Sequence, residues 1–273
     1  MLKKIIILSV LAILIGCAGK EPTEVDTIPP LKPHMIHHLG DTGYNEADTT
    51  YYDENGIENN GIDAIAGNQN CIQIQWEHLL DTDLDYICIY RFNSEPQDND
   101  TIKIATMPPI GPDRYKDKFP YYEGAAVGKN WYYFIKPVDT SGNFTFSDTV
   151  CYRLIDKPIL NSPGDNSTVQ SLNDVTFNWN LSTSSPTIEY CLLLFNEEYK
   201  LLWRYRPLDT PGTNVSVEYN GNGPNPDSLY IPNSKLIWRV DAFGSPRYEE
   251  INGVSYTIPS GSESVEKTIN INR

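Results

Sequence analysis

From residue 29 onward the chain is built of short runs that alternate apolar and polar residues, broken by Pro, Gly, Asn or Asp. In CIQIQW (Cys71–Trp76), Ile72, Ile74 and Trp76 fall on one face, with Gln73 and Gln75 on the other, toward solvent. Tyr86–Arg91 repeats the pattern with Ile87 and Ile89, Val175–Asn180 with Val175, Phe177 and Trp179, and Lys235–Gly244 with Leu236, Trp238, Val240 and Ala242. A period of two is that of a strand with one buried face; a helix would repeat every 3.6 residues. Many such strands, roughly 8–15 residues apart, predict β-sandwiches. The length admits two units of about 110–130 residues, each large enough to bury a core without staples. The expected fold class is all-β, two sandwiches in tandem.

The N-terminus carries a different signal. Lys3 and Lys4 precede an almost wholly apolar run from Ile5 to Ile15. That is the form of a secretory signal, and it is too short for a membrane span of about twenty residues. The run ends in Leu14-Ile15-Gly16-Cys17, which resembles the lipobox of bacterial lipoproteins. The resemblance implies a diacylglycerol on the Cys17 thiol, cleavage of residues 1–16 as a signal peptide, and acylation of the new amine. One acyl chain holds a protein marginally, and two or more hold it firmly. Residues 17–28 are short and polar and contain Pro22, as expected of a lipidated tether. Ala18 lacks the Asp that marks inner-membrane retention in the enteric sorting pattern, and Lys20-Glu21 loosely resembles the export tag of some surface lipoproteins. The expected location is the cell envelope, lipid-anchored at the outer membrane, on its periplasmic face or at the cell surface.

The formal charge is −15, and no Lys or Arg occurs between Lys32 and Arg91. A surface this acidic repels phosphate backbones, so nucleic acid is excluded as a partner. Cations and basic partners are compatible with it.

IQW, then DTDLDYICIYR, then WYYFIKPVDTSGNFTFSD resembles a bacterial fibronectin type III domain. Trp76 stands at the strand-B tryptophan, Ile87 to Arg91 on strand C, and Val138 to Asn143 at the end of strand F. Trp131 occupies the position of the family's corner tyrosine and Pro137 that of a small residue. The first domain is placed at 29–156. A second, more divergent fibronectin type III or immunoglobulin-like domain is placed at 157–273, with a short, Pro-containing and semi-rigid join near Lys157. The first domain departs from the family in a long acidic insert at 39–70, between strands A and B. Loops of that length are generally functional or disordered. Its segment NNGIDAIAGNQN is expected to run along the sheet edge.

Candidate chemistry is sparse. Asp53 and Asn55 in the insert, with Asp81, Asp83 and Asp85 in the next turn, offer hard oxygen ligands suited to Ca²⁺, although neither group fits an EF-hand loop. Ca²⁺ is the one cofactor the pattern admits. His34, Ile36 and His38 would share a strand face, two metal ligands without a third. Tyr51 and Tyr52 are candidate ligand contacts. Cys71, Cys88, Cys151 and Cys191 are expected to be thiols: the first two point outward on opposing sheets, and Cys151 lies two strand spacings from strand C, beyond disulfide reach. No G-x-S-x-G, H-E-x-x-H or P-loop occurs, and no length is left for a catalytic domain. The expected role is a non-catalytic binding or scaffolding module of adhesion type, with an unknown protein or glycan partner. A carbohydrate-binding accessory protein is the first rival and a hydrolase the second.

Overall fold

A computed structural model of the chain describes residues 26–37, 62, 70–94, 101–118, 127–181, 187–198, 201–205, 214–219 and 235–272. Seven strands form the first unit: β1 (Met35–Ile36), β2 (Cys71–Trp76), β3 (Leu84–Asn93), β4 (Ile102–Met107), β5 (Arg114–Lys118), β6 (Asn130–Asp139) and β7 (Val150–Leu154). One sheet has the order β1-β2-β5, and the facing strands run β4-β3-β6-β7. This is the A-B-E against C′-C-F-G arrangement of a fibronectin type III-like sandwich. The inward residues are those the alternation marks: Ile72, Ile74 and Trp76 on β2, Ile87 and Ile89 on β3, with Trp131, Tyr133 and Ile135 on β6. Ile62, from the long insert, bridges to Ile72 and is fully buried; the residues on either side of it in the insert lie outside the described residues.

Arg91 follows the same alternation inward and brings a charge into the core. It is 5% exposed, and its Nη1 donates to Asp117 Oδ2 at 2.9 Å. The Tyr133 hydroxyl donates to the same oxygen at 2.9 Å, and the guanidinium lies 4.4 Å from the Trp131 ring centroid. Trp131, at the corner-tyrosine position, therefore covers a buried ion pair. Burial, then the Asp117 charge, pushes the Tyr133 hydroxyl far above its ordinary range, so it remains a proton donor. A buried ion pair adds little over an apolar substitute, but removing one partner strands the other. Asp117→Ala should cost about 3–5 kcal/mol in chemical denaturation. Tyr133→Phe, which leaves Arg91 paired, should cost about 1–3 kcal/mol.

The second unit contains β8 (Ile159–Ser162), β9 (Ser167–Val169), β10 (Thr176–Asn180), β11 (Thr187–Asn196), β12 (Leu201–Tyr205), β13 (Asn214–Glu218), β14 (Lys235–Ile251), β15 (Val254–Glu263) and β16 (Lys267–Ile271). Strands β13-β10-β8 form one sheet; β12, β11, β14 and β16 form the other, with β9 parallel to β16. Phe177, Trp179, Trp238, Val240 and Ala242 fill its core, on the faces the alternation predicts. The chain is thus all-β, two fibronectin type III-like sandwiches in tandem.

The sandwiches are not simply strung together. β14 runs beyond its own sheet, turns at Asn252 (φ 52°) and Gly253 (φ 79°), and returns as β15. Two consecutive positive φ angles at Asn-Gly are those of a tight hairpin turn, where Gly carries no Cβ penalty. β15 then pairs in parallel with β7 of the first unit, Ser260 opposite Arg153 and Gly261 opposite Leu154. The Ile155 N–H donates to the Gly261 carbonyl at 3.1 Å. A single sheet of ten strands therefore crosses both units. Beneath this arm, Tyr132, Cys151 and Ile258 are buried together, with Phe92, Ile251 and Tyr256 packed around them. Glu249 accepts from the Tyr132 hydroxyl and from Asn130 Nδ2. The short Pro-containing join is thus one of two couplings, and the arm is the second.

The arm also corrects the reading of the outward faces. Cys71, Cys88, Cys151 and Cys191 are all buried. Cys151 lies under the arm, its Sγ donating to the Thr257 carbonyl at 3.3 Å. Cys191 lies with Leu193, Phe195 and Ile237 in a separate apolar cluster. Cys88 is opposite Lys136 and Cys71 opposite Lys118 in the strand register. Gln73, expected in solvent, is 1% exposed and stands opposite Lys116 on β5. Burial, then the Glu249 charge, pushes the Cys151 thiol up to about 12. In the folded protein Cys151 should resist thiol reagents at pH 8. Ile258→Ser should free the arm and add one fast-reacting thiol; an unchanged thiol count would contradict the docking.

Candidate functional site

Three turns of the first sandwich meet at the end where residues 26–31 enter. They are residues 77–83 between β2 and β3, 108–113 between β4 and β5, and 140–149 between β6 and β7. The Leu31 N–H reaches both Asp81 carboxylate oxygens at 3.2 Å, and the Thr140 N–H donates to the Asp83 carbonyl at 2.9 Å. Trp76 N–H donates to the Asp113 carbonyl at 3.0 Å, while His78 Nδ1 lies 2.9 Å from Asp113 Oδ2. Asn143 Nδ2 donates to the Asp26 carbonyl at 3.0 Å, which ties the entering chain to the β6–β7 turn.

Asp26, Asp83 and Asp139 converge here, each offering a carboxylate oxygen within 4.8 Å of the others. Asp139 is buried. Its Oδ1 accepts the backbone N–H of Ser141 and of Asn143, both at 2.8 Å, and its Oδ2 accepts Asn143 Nδ2 at 2.9 Å. Burial pushes this carboxyl up, but the bonds from Asn143 and the turn amides outweigh it and hold it below its ordinary value. Asp26 Oδ1 accepts the Ile28 N–H at 3.0 Å.

Of the acids read from the sequence, Asp83 alone joins this trio among the described residues. Asp81 holds the entering segment, and Asp85 lies exposed on β3. Asp53, Asn55, Tyr51, Tyr52, His38 and Cys17 lie outside the described residues. His37 Nε2 is 3.5 Å from Asp148 Oδ2 on the surface. Sequence reasoning missed Asp26 and Asp139 as neighbours of Asp83. For Asp139 a signal was present: an Asp followed by Ser-Gly-Asn is a side chain placed to cap its own turn.

Around the acids the surface is apolar. Ile28, Leu31, Leu80 and Ile110 are exposed, and Ile110 reaches 90%. From the β6–β7 turn, half-exposed Phe144 and Phe146 continue onto the outer face of β3 and β6. There Tyr90 stacks on Phe134 (5.0 Å, 7°) and Phe92 on Tyr132 (4.8 Å, 14°). Among the described residues Phe92, Phe134, Phe144 and Phe146 lie on this one face, which marks it as something other than scattered surface residues. Phe134, Phe144 and Phe146 meet at 70° and 73°. Lys136 Nζ lies 3.8 Å from the Phe144 ring centroid. At its far end the strip passes under the arm through Tyr132 and Tyr256, 5.1 Å apart. Carboxylates, amides and rings can hold a loop, a cation or an apolar partner.

No protein-family model matches the chain, and no curated protein matches it. Solved structures similar to it include the chicken CNTN1 FN1–FN3 domains, at 12% identity and a TM-score of 0.32, over 79% of this chain and 70% of that one. The fibronectin(III)-like modules of Clostridium thermocellum CbhA match at 13% identity and a TM-score of 0.26, over 77% and 92%. A tetra-tandem repeat in the extending region of a large adhesion protein matches at 12% identity and a TM-score of 0.24, over 72% and 45%. The fold assignment rests on the strand order and register described above.

Asp139 gives up its proton more readily folded than unfolded. Its contribution to stability is therefore complete above its ordinary value near pH 4 and is lost as pH falls through the lowered folded value. Glu249 has the same sign: burial raises it, but bonds from Ser94, Tyr132 and Asn130 and the Arg247 charge more than offset that. Asp139→Ala should melt lower at pH 7. Between pH 5 and pH 3 its melting temperature should fall by less than that of the wild type.

Proposed function

We propose that this chain is a lipid-anchored envelope protein, held by Cys17, whose two sandwiches act as one non-catalytic unit for binding or scaffolding. The observation that carries the reading is the arm. A pair of modules joined only by a peptide linker moves freely unless the interface is large and apolar. Here a hairpin of the second sandwich extends the sheet of the first and buries Tyr132, Cys151 and Ile258 against it. Such a unit transmits position: whatever its surfaces hold is kept at a fixed place relative to the tether. The acids at the end where residues 26–31 enter support a non-catalytic role, since the Asp26 and Asp139 carboxylates are engaged by turn amides. The lipobox-like Leu14-Ile15-Gly16-Cys17 and the polar residues after it support the anchor and an outer-membrane location.

Cys17 precedes every described strand in the sequence, so its replacement should leave the fold untouched. The test is fractionation of cells producing the wild type and Cys17→Ala. The wild type should stay with membranes after alkaline carbonate washing. Cys17→Ala should be released, with the thermal melt of its sandwiches unchanged. Retention of Cys17→Ala in washed membranes would overturn the reading.

A further inference from the structure

Exposed apolar side chains are not spread evenly over this protein. Among the described residues eleven large ones are exposed, and six of them, Ile28, Leu31, Leu80, Ile110, Phe144 and Phe146, belong to the entering segment 26–31 and the three turns at one end of the first sandwich. The hydrogen bonds from Leu31 to Asp81, from Asn143 to Asp26 and from Trp76 to Asp113 hold these segments together, so the six form one end surface. In water such a surface is unfavourable, and contiguous apolar patches mark interaction sites.

We propose that this end docks on the surface of a zwitterionic phospholipid bilayer, its exposed Ile, Leu and Phe side chains entering the headgroup–acyl boundary. The proposal rests on the lipid-anchor reading of Cys17. The argument for this occupant is where the chain leads. Asp26, bonded to Asn143, is separated from Cys17 by residues 18–25 alone. At no more than about 3.3–3.6 Å per residue, that stretch reaches at most about 30 Å. An anchor on Cys17 therefore keeps this end within about 30 Å of the membrane. A surface kept that close gains from burying apolar side chains without the cost of finding its partner. Lys136, with its Nζ over the Phe144 ring, can lay its stem along the apolar surface and keep its charge at headgroup level.

Charge selects the lipid. Asp26, Asp81, Asp83 and Asp139 stand at the same end, so anionic headgroups are repelled and neutral zwitterionic ones are not. A protein partner on the same surface is the competing occupant, and the experiment separates the two.

The full chain, purified from membranes with its lipid, is reconstituted into phosphatidylcholine vesicles carrying a lipid-borne quencher. A fluorophore is placed through Ile110→Cys or, as the distant control, through Glu197→Cys on the exposed turn after β11. The other thiols are buried or acylated, so the labelling is selective. The fluorophore at position 110 should lose at least about half its intensity, and the one at 197 should be unchanged. Leu80→Ser with Phe144→Ser should relieve the quenching at 110 while the melt stays that of the wild type. Exchanging a third of the lipid for phosphatidylglycerol should also relieve it. No quenching at 110, equal quenching at both positions, or quenching that the double variant leaves intact would overturn the docking and favour a protein partner. A rise with phosphatidylglycerol would overturn the choice of lipid. The mass of the Cys17 peptide from the same sample separates the two readings. Without lipid on Cys17 the anchor fails and the docking falls with it; with lipid present but position 110 unquenched, the docking alone fails.

Discussion

Everything distinctive in this molecule depends on a short parallel pairing, β15 of the second sandwich against β7 of the first. A sandwich of this kind ends its C-F-G sheet in an edge strand, with unpaired amides and carbonyls open to other chains. Here the edge is partly closed from within. The arm brings backbone partners to Arg153, Leu154 and Ile155, apolar cover to Cys151 and Tyr132, and a carboxylate to Asn130 and Tyr132. These contacts are mutually dependent. The carboxylate is tolerated at a half-buried site because three donors meet it, and the donors are aligned because the strands are paired. One sheet spanning two cores makes the tandem a unit in which displacement at one end is carried to the other.

The two ends of the first sandwich are specialised by the same logic of paired and unpaired groups. At the arm end, polar groups are used up in the contact between the sandwiches. At the end where residues 26–31 enter, the carboxylates of Asp26, Asp81 and Asp139 hold turns and the entering segment, and side chains of Ile, Leu and Phe face out. The acids there are structural first. Asp139 is engaged by the amides of its own turn and by Asn143, and Asn143 in turn holds the carbonyl of Asp26. A hydrogen-bonded acid scaffold under an apolar rim suits a surface that must keep its shape against a partner.

The sandwich fold was legible in the sequence because its period is local. Ile72, Ile74 and Trp76, or Trp238, Val240 and Ala242, declare their face by spacing alone, whatever they pack against. Asp139 was legible in principle for the same reason, as a side chain capping its own turn. What was not legible depended on partners distant in sequence. Cys151 and Gln73 have the alternation of exposed residues and are buried, one by the arm and the other within its sheet. The meeting of Asp83 with Asp26 and Asp139 required three segments to be brought together, and no spacing encodes that. The arm left one local trace, Asn252-Gly253 between strand-forming residues, a strong hairpin signal. That signal announces a hairpin but not that it reaches across to another domain.

The central claim is that the two sandwiches are one unit because of the arm. The distribution of distances between spin labels at Ile110→Cys and Glu197→Cys, in a Cys17→Ala background, tests it most directly. A docked arm predicts one narrow distance that broadens when Ile258→Ser removes the contact beneath it. A broad distribution in the unaltered arm, indifferent to Ile258→Ser, would contradict the account.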